Sequence, residues 1–314
     1  MNKMWAVIAA VILAVLIVGG IWFSRSPLSR VNFAGFIGSP DPTDPTSQTD
    51  PGSTALADPT SQTGLRVPAG FTIEVFAEGL DAPRFITFGP DGALTVAERD
   101  AGRIVALPDA DGDGRADTIR PVATDLDQPH SLAYHEGAWY VGVPSGVVRL
   151  NDEDGDGTAE AQTAIIDDLP PRVGHTTRTV AFLPDGRMLL SVGSSCNVCL
   201  EDDPRRAAIV VYDDATGANE RLFATGLRNA VGLALQPDSG ALWVTNNGRD
   251  LLGDDVPPET VYLVNEGDHF GWPACHAGTI ADPEFGGEGA CAGVIQPALT
   301  WQAHSAPLGL GFYD

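Results

Sequence analysis

Beyond residue 64 the chain alternates short apolar runs with breaks rich in Gly, Pro and Asp, and the alternation repeats. The runs RFITF, SLAY, TVAF and VGLAL each lead to a turn glycine and a second apolar run: Gly92 in GPDGALTV, Gly137 in HEGAWYVG, Gly186 in LPDGRMLLSV and Gly240 in PDSGALWV. These glycines are 45, 49 and 54 residues apart. A leucine-containing opener precedes each unit, GLDAP at Gly79, DLDQP at Asp125, DLPPR at Asp168 and GLRN at Gly226, and RIVALP, GVVRL and AAIVVY lie between units. Runs this short, rich in β-branched residues and bounded by Gly or Pro, predict strands. Four short strands per unit at this period predict an all-β fold of the β-propeller type. No helical periodicity appears after the first 25 residues. A fifth unit opens at Ile295 (IQPALTWQAHSAPLGLGFYD), and its turn glycine would fall just past residue 314. The expectation is therefore four blades and part of a fifth. An open ring leaves strand edges unpaired, so the spacing points to a propeller that continues past this stretch.

The N-terminal region has a different pattern. Met4 to Phe23 is an unbroken apolar run of 20 residues, long enough to span a bilayer. Lys3 precedes it, and Arg25 and Arg30 follow. The SRSPLSR after Phe23 lacks the small-x-small site of a cleaved signal, which favours an uncleaved transmembrane helix over a signal. Residues 39–64 are rich in Pro, Asp, Thr, Ser and Gln, with DPTSQT at both Asp44 and Asp58, and read as a spacer without a core. The expected organisation is an anchor or signal over 1–25, a disordered linker over 26–64 and a propeller over 65–314. The domain would face the periplasm or the outside of the cytoplasmic membrane, held by the N-terminal helix. The alternative is secretion.

Charge narrows the partners. The formal net charge is −24 and Lys3 is the only lysine, so no basic patch is available for nucleic acid. Four cysteines, Cys196, Cys199, Cys275 and Cys291, suit disulfides in an exported protein; three pairings are open, and proximity favours Cys196–Cys199 with Cys275–Cys291. Zinc would ask for a second close pair or for histidines at ligand spacing. No GxSxG elbow, P-loop or Rossmann glycine fingerprint is present, which removes support for serine hydrolysis, phosphoryl transfer and nicotinamide chemistry.

Polar residues at the ends of the repeat units are the candidates for chemistry. His175, in VGHTTRTVAF, precedes the first strand of the third unit and is a natural base near neutral pH, or else a hydrogen-bonded structural histidine. Arg178 is expected to make a structural ion pair. His130, in QPHSLAY, holds the equivalent place in the second unit. Arg228 and Asn229 hold it in the fourth, offering donors to an anionic or carbonyl-rich ligand, or else bracing a loop. NNGRDLLGDDVPPE brings Asp250, Asp254, Asp255 and Glu259 close in sequence, a hard-oxygen set suited to calcium, with the Gly248 and Arg249 carbonyls as further ligands. DADGDGRAD (109–117) and DEDGDGTAE (152–160) match the front of a calcium loop, but Arg120 and Thr163 stand where the bidentate carboxylate would be. They read as tight turns between outer strands, with weak calcium binding as the alternative.

Taken together, GFTIEVFAEGLDAPRFITFGPDG, DLDQPHSLAY, GHTTRTVAFLPDGRMLLSVGSSCNVC, GLRNAVGLALQPDSGALWVTNNGRDLLGDDVPPE and GDHFGWP resemble the PQQ-dependent sugar dehydrogenase family, in its L-sorbosone dehydrogenase-like or soluble aldose sugar dehydrogenase branch. The resemblance covers Leu65 to Asp314. It implies a six-bladed propeller with pyrroloquinoline quinone (PQQ) and Ca2+ over the central channel. It also implies oxidation of an aldose or sugar aldehyde to a lactone or acid, with hydride transfer to PQQ and a separate electron acceptor. By this resemblance His175 is the catalytic base, Arg228 and Asn229 contact the cofactor, and the Gly248 and Arg249 carbonyls hold its calcium. Glu259 fits a second calcium site, and Asp250 and Asp254 belong to the same acidic group; His130 joins the cofactor-binding set. Two differences stand out: Gly174 replaces the aspartate that soluble glucose dehydrogenases carry before the histidine, and the histidine stands three rather than four residues before the strand arginine. The family's lysine and arginines that grip the PQQ carboxylates come from its last blades, beyond Asp314.

Two other functions use the same features: a non-catalytic exported propeller binding a glycan or protein through its channel face, and a calcium-dependent lactonase.

Overall fold

The computed structural model describes residues 71–312. The apolar run 4–23, the spacer 39–64 and the domain start at Leu65 lie outside the described residues. Two compact units divide the chain, Met1–Asp58 and Pro59–Asp314, and all described residues belong to the second. Among the described residues no helix is long and apolar enough to cross a membrane.

The second unit is all-β. Its first sheet holds β1 (Pro83–Phe88), β2 (Leu94–Glu98), β3 (Arg103–Leu107) and β4 (Arg120–Ala123) in sequence order. The second holds β5 (Ser131–His135), β6 (Ala138–Val143), β7 (Gly146–Asn151) and β8 (Ala161–Ile166). The third holds β9 (Arg178–Phe182), β10 (Met188–Val192), β11 (Ala208–Tyr212) and β12 (Arg221–Thr225). In the fourth, β13 (Ala230–Leu235), β14 (Leu242–Asn246) and β15 (Glu259–Val264) are joined by β18 (Leu299–Trp301), after a detour carrying the hairpin β16 (Cys275–His276) and β17 (Ile280–Ala281). Each sheet is an antiparallel four-stranded meander, so the four repeat units are four propeller blades.

The repeat reaches down to single residues. Gly92, Gly137, Gly186 and Gly240, the turn glycines between first and second strands, all have positive φ, from 68° to 88°, a region costly for residues with a Cβ. Pairing of the third and fourth strands shifts register at the same place in three blades: Ile104/Val105, Val147/Val148 and Ile209/Val210. Such bulges increase local twist and bend the strand.

Successive blades pack face to face. Leu132, Val141 and Val143 of blade 2 meet Ala97, Ile104 and Val122 of blade 1. On the opposite face of blade 2, Tyr140 and Val147 meet Met188, Leu190 and Val210 of blade 3. Leu189, Ile209 and Val211, on the other face of blade 3, meet Val244 and Tyr262 of blade 4. Strands β10 and β11 are therefore buried on both sides along their whole length, and each large apolar residue there contributes about 1.5–3 kcal/mol by burial. Among the described residues blade 1 packs against one other blade; Phe76, Ala77 and Leu80 cover Val96, Val105 and Leu107, and on its first strand Ile86 and Phe88 are 60% and 71% exposed.

First strands contact one another across blades, β1 with β5, β5 with β9 and β9 with β13. Thr179 Oγ1 donates to the Val231 carbonyl (2.6 Å), and the Val180 amide donates to Ser131 Oγ (3.0 Å). They are the inner strands. All of them start at the same end of the blades, where the second strands finish.

The fourth blade corrects one boundary. Residues 299–301, expected to open a fifth unit, pair with β15 through Glu259–Trp301, Thr260–Thr300 and Val261–Leu299, completing the fourth sheet. The segment beyond returns to the second strand of this blade, β14, where the Leu308 carbonyl accepts from Thr245 Oγ1 at 3.0 Å. Residues 299–301 thus belong to the fourth blade.

Candidate active site

At the end where the inner strands begin, the loops before β5, β9 and β13 converge with the loops after β10 and β14. His175 is half-buried in the loop before β9. Its amide donates to the Ser194 carbonyl (2.9 Å), and its Nδ1 lies 3.1 Å from that carbonyl and 2.9 Å from Ser194 Oγ. Ser194 Oγ in turn donates to the Cys196 carbonyl (2.7 Å). Both groups facing Nδ1 therefore accept, which assigns the ring proton to Nδ1 and leaves Nε2 as a free base. Burial above all, then the neighbouring Arg228 guanidinium, pushes His175 down to about 4. The ring is neutral at pH 7.

Gly174 has φ +63°, and a Cβ there would collide with the Ser195 carbonyl and lie 2.7 Å from that of Ser194. An aspartate has no room at this place, and Ser194 is the partner that orients the histidine. At Gly193 a Cβ would lie 2.5 Å from His175 Cβ and 2.6 Å from Asn229 Oδ1. The glycine thus lets two candidate residues approach from adjacent blades.

Arg228 is buried, with four partners. Its Nε donates to the Asn197 carbonyl (2.9 Å), Nη2 to Asn197 Oδ1 and Asp250 Oδ2 (3.0 Å each), and Nη1 to the Asn247 carbonyl (3.4 Å). Asn229 is buried too; its amide donates to Asn246 Oδ1 (3.1 Å), while its own Oδ1 has no partner. Buried His130 has no partner on either ring nitrogen. Burial first, then Arg84, Arg178 and Arg99, pushes it down to about 3.

Arg178 departs from expectation. It makes no ion pair among the described residues; fully buried, its Nη1 donates to the carbonyls of His175 (3.0 Å) and Thr177 (2.9 Å). Its Nε and Nη2 have no partner. The start of an inner strand offers it carbonyls and no carboxylate, and burial, followed by Arg206 and Arg172, lowers it to about 9.

The acidic stretch 246–259 is arranged differently from a single carboxylate cluster. Glu259 is buried, and its two oxygens accept from the amides of Gly248 (2.7 Å) and Ala306 (3.3 Å). Asp250 faces Arg228, and Asp254 is exposed. No group of metal-spaced carboxylates among the described residues joins Asp250, Asp254 and Glu259. The Gly248 and Arg249 carbonyls accept no hydrogen bond among the described residues. The Arg249 side chain turns away, pairing with buried Asp282 and with Glu284 (3.1 Å), while Asp282 also meets His276 Nε2 at 2.7 Å. The disulfides are Cys196–Cys199 and Cys275–Cys291, as proximity suggests.

The loops 109–117 and 152–160 join third and fourth strands as tight turns. Asp109 accepts from the amides of Asp113 (3.1 Å) and Gly114 (3.0 Å), and Asp152 from those of Gly155 (2.7 Å) and Gly157 (2.9 Å). Arg120 donates to the Gly157 carbonyl (3.1 Å) and pairs with Asp91 (3.1 Å), linking blades 1 and 2 at the rim.

The residues present fit a planar, carbonyl-rich cofactor with a hard cation. Buried Asn229 Oδ1, the unpartnered nitrogens of His130 and Arg178, and two unclaimed carbonyls at 248–249 are polar groups at one end that the protein itself leaves unsatisfied. Sequence reasoning missed Ser194, Asn197 and Arg206. Buried Arg206 donates to the carbonyls of Val173 (3.2 Å), His175 (3.4 Å) and Gly193 (3.1 Å), fastening the histidine loop. The usable signal was an Arg-Arg pair in so acidic a chain, and a CxxC directly after a strand.

Four meander blades around shared inner strands, with a histidine, an arginine and an asparagine converging at one end, define a β-propeller. The chain belongs to the TrAA12-like family, whose model matches residues 65–314. It is similar to a pyrroloquinoline quinone-dependent sugar dehydrogenase of Hypocrea jecorina, 27% identical over 302 residues, covering 77% of this chain and 69% of that protein. Among solved structures it resembles the holo form of the pyranose dehydrogenase PQQ domain from Coprinopsis cinerea, with TM-score 0.65, 22% identity and coverage of 79% of this chain and 72% of that one. It also resembles the PQQ-bound aldose sugar dehydrogenase of Streptomyces coelicolor, with TM-score 0.58, 20% identity and coverage of 76% and 73%. At these identities the two structures speak for the fold.

Proposed function

We propose that this chain is a PQQ- and Ca2+-dependent quinoprotein that oxidises an aldose or sugar aldehyde to its lactone or acid. The observation that carries the reading is His175, a neutral half-buried imidazole with Nδ1 tied to Ser194 and Nε2 free, beside Arg228 and Asn229. When bound, PQQ supplies a two-electron acceptor at a quinone carbonyl. His175 Nε2 takes the proton from the reacting sugar hydroxyl, a task suited to an imidazole that is unprotonated at neutral pH. Arg228, desolvated and fixed by four partners, directs positive charge at the cofactor side of the site. Asn229 offers its side-chain amide there. The Gly248 and Arg249 carbonyls would hold the calcium, because they lack other hydrogen-bond partners and Glu259 fixes their loop from behind. Buried His130, uncharged, forms a wall of the same end. Electrons leave to a separate acceptor. The domain works on the outer face of the cytoplasmic membrane, held there by the apolar segment 4–23.

Support comes from family membership and from the relatives' sugar dehydrogenase chemistry. A lactonase would ask for carboxylates gathered on one metal, and here Asp250 faces Arg228, Glu259 answers two amides and Asp254 stands exposed apart from them. The test is dye reduction by the full chain with PQQ, Ca2+ and a panel of aldoses, beside His175→Ala. Sugar-dependent reduction in the wild type, lost at least a hundredfold in the variant, is expected. Equal rates in both would sink the role of His175, and binding of sugar without dye reduction would favour the non-catalytic propeller.

A further inference from the structure

The CxxC segment plays no part in the chemistry just described, yet it touches Arg228 and Asp250 directly and reaches His175 through Ser194. Asn197 lies within the ring closed by Cys196–Cys199. Its carbonyl accepts from Arg228 Nε (2.9 Å), and its Oδ1 accepts from Arg228 Nη2 (3.0 Å) and from the Asp250 amide (2.8 Å). Its Nδ2 donates to the Asp250 carbonyl (3.0 Å). One residue thus satisfies both backbone groups of Asp250 through its side-chain amide, and two nitrogens of the guanidinium through that amide and its own carbonyl together. Only a group that both donates and accepts can do so, which excludes a carboxylate or a hydrocarbon at this place. The same segment reaches the histidine. Ser194 Oγ, which orients His175, donates to the Cys196 carbonyl (2.7 Å), and the Ser195 amide is held by Glu201 Oε1 (2.7 Å).

We infer that Asn197, held in place by the Cys196–Cys199 ring, is the positioning residue for Arg228 and for the 248–250 loop, so that the disulfide keeps base, guanidinium and calcium-binding carbonyls in one arrangement. This rests on the proposed function for what the arrangement serves, but the positioning itself does not. Without the Asn197 side chain, Arg228 keeps the carbonyl of residue 197 at Nε, but Nη2 and Nη1 are left with Asp250, whose side chain is 61% exposed, and the Asn247 carbonyl at 3.4 Å. An ion pair open to water holds geometry weakly. A two-residue span between half-buried cysteines has no strand pairing to fix it, and the covalent ring supplies that constraint.

The test uses the full chain and two readouts. The first needs no ligand: hydrogen exchange of the Asp250 backbone amide, which donates to Asn197 Oδ1. The second is PQQ titration in the presence of Ca2+, followed by tryptophan fluorescence. Asn197→Ala is expected to speed the exchange at least tenfold and to weaken PQQ binding about tenfold, with a melting temperature near that of the wild type. Asn197→Asp keeps the acceptor for the Asp250 amide and for Arg228 but loses the donor to the Asp250 carbonyl, and returns the exchange only part of the way, to within about threefold. Should Asn197→Ala fail to fold, Cys196→Ser/Cys199→Ser serves, with the same tenfold rise expected. Exchange unchanged in a folded Asn197→Ala or in the double serine variant overturns the inference, whatever PQQ does. A protected Asp250 amide in a wild type that takes up no PQQ leaves the positioning intact and counts against the proposed function instead.

Discussion

Ser194 holds His175 at two points, its carbonyl 3.1 Å and its hydroxyl 2.9 Å from Nδ1. The pair fixes one tautomer without a carboxylate. In Ser194→Ala the carbonyl still holds Nδ1, so the ring stays neutral but loses one anchor. A fall of roughly tenfold in kcat for sugar-dependent dye reduction, with KM nearly unchanged, is expected from loosened orientation of the base. Steady-state kinetics beside the melting temperature decide it; a shift in KM alone would speak against this role.

Gly174 makes that arrangement possible, since its φ of +63° and the nearby carbonyls of Ser194 and Ser195 leave no space for a side chain. Gly174→Asp, which would recreate a carboxylate beside the histidine, should therefore destabilise the domain by at least 1 kcal/mol rather than improve it. Urea unfolding measures the cost. A variant as stable as the wild type would show that the loop can move aside.

Acid stability should follow His130. Its folded value of about 3 lies below the ordinary 6.5, because burial and Arg84, Arg178 and Arg99 oppose its charging. Between those values the unfolded chain takes up a proton that the folded chain refuses, so stability falls as pH drops from about 6.5 towards 3. His175 acts in the same direction down to about 4. Between pH 7 and 4.5, His130→Gln should lose about 2 kcal/mol less stability than the wild type, at about 1.4 kcal/mol per pH unit. Parallel losses in the two proteins would remove His130 from the account.

Buried Glu259 answers two amides, those of half-buried Gly248 and exposed Ala306. Its replacement by alanine leaves the first without its acceptor and should cost about 1 kcal/mol. Calcium affinity should also fall, because the 248–249 carbonyls lose their support. Isothermal titration with Ca2+ and urea unfolding report the two effects separately. Glu259→Gln, keeping one acceptor, should lie between.

Strand positions and turn glycines were legible in the sequence because each blade repeats the same local physics. A run of β-branched residues pairs with its neighbour, and a glycine at positive φ reverses the chain. Both disulfides followed from proximity, since short separations place cysteines within bonding reach. What escaped were contacts that only the assembled blades create. Arg178 looked ready for an ion pair, but its strand start offers carbonyls. Glu259 and Asp250 stood out as hard-oxygen residues, but the sequence did not show the amide pair and the guanidinium that they face. The detour between β15 and β18, with Asp282 anchoring Arg249, has no periodicity from which its docking could be read. Asn197 looked like an ordinary loop residue because its partners lie 31 and 53 residues away.

Blade 3 is covered on both faces, and β10 leads directly into Gly193 and Ser194, the anchor of His175. Backbone amides buried between two packed cores open only when a large part of the molecule opens. The histidine is thus moored to a sheet that is packed on both faces, and the imidazole should keep its place until that sheet itself opens.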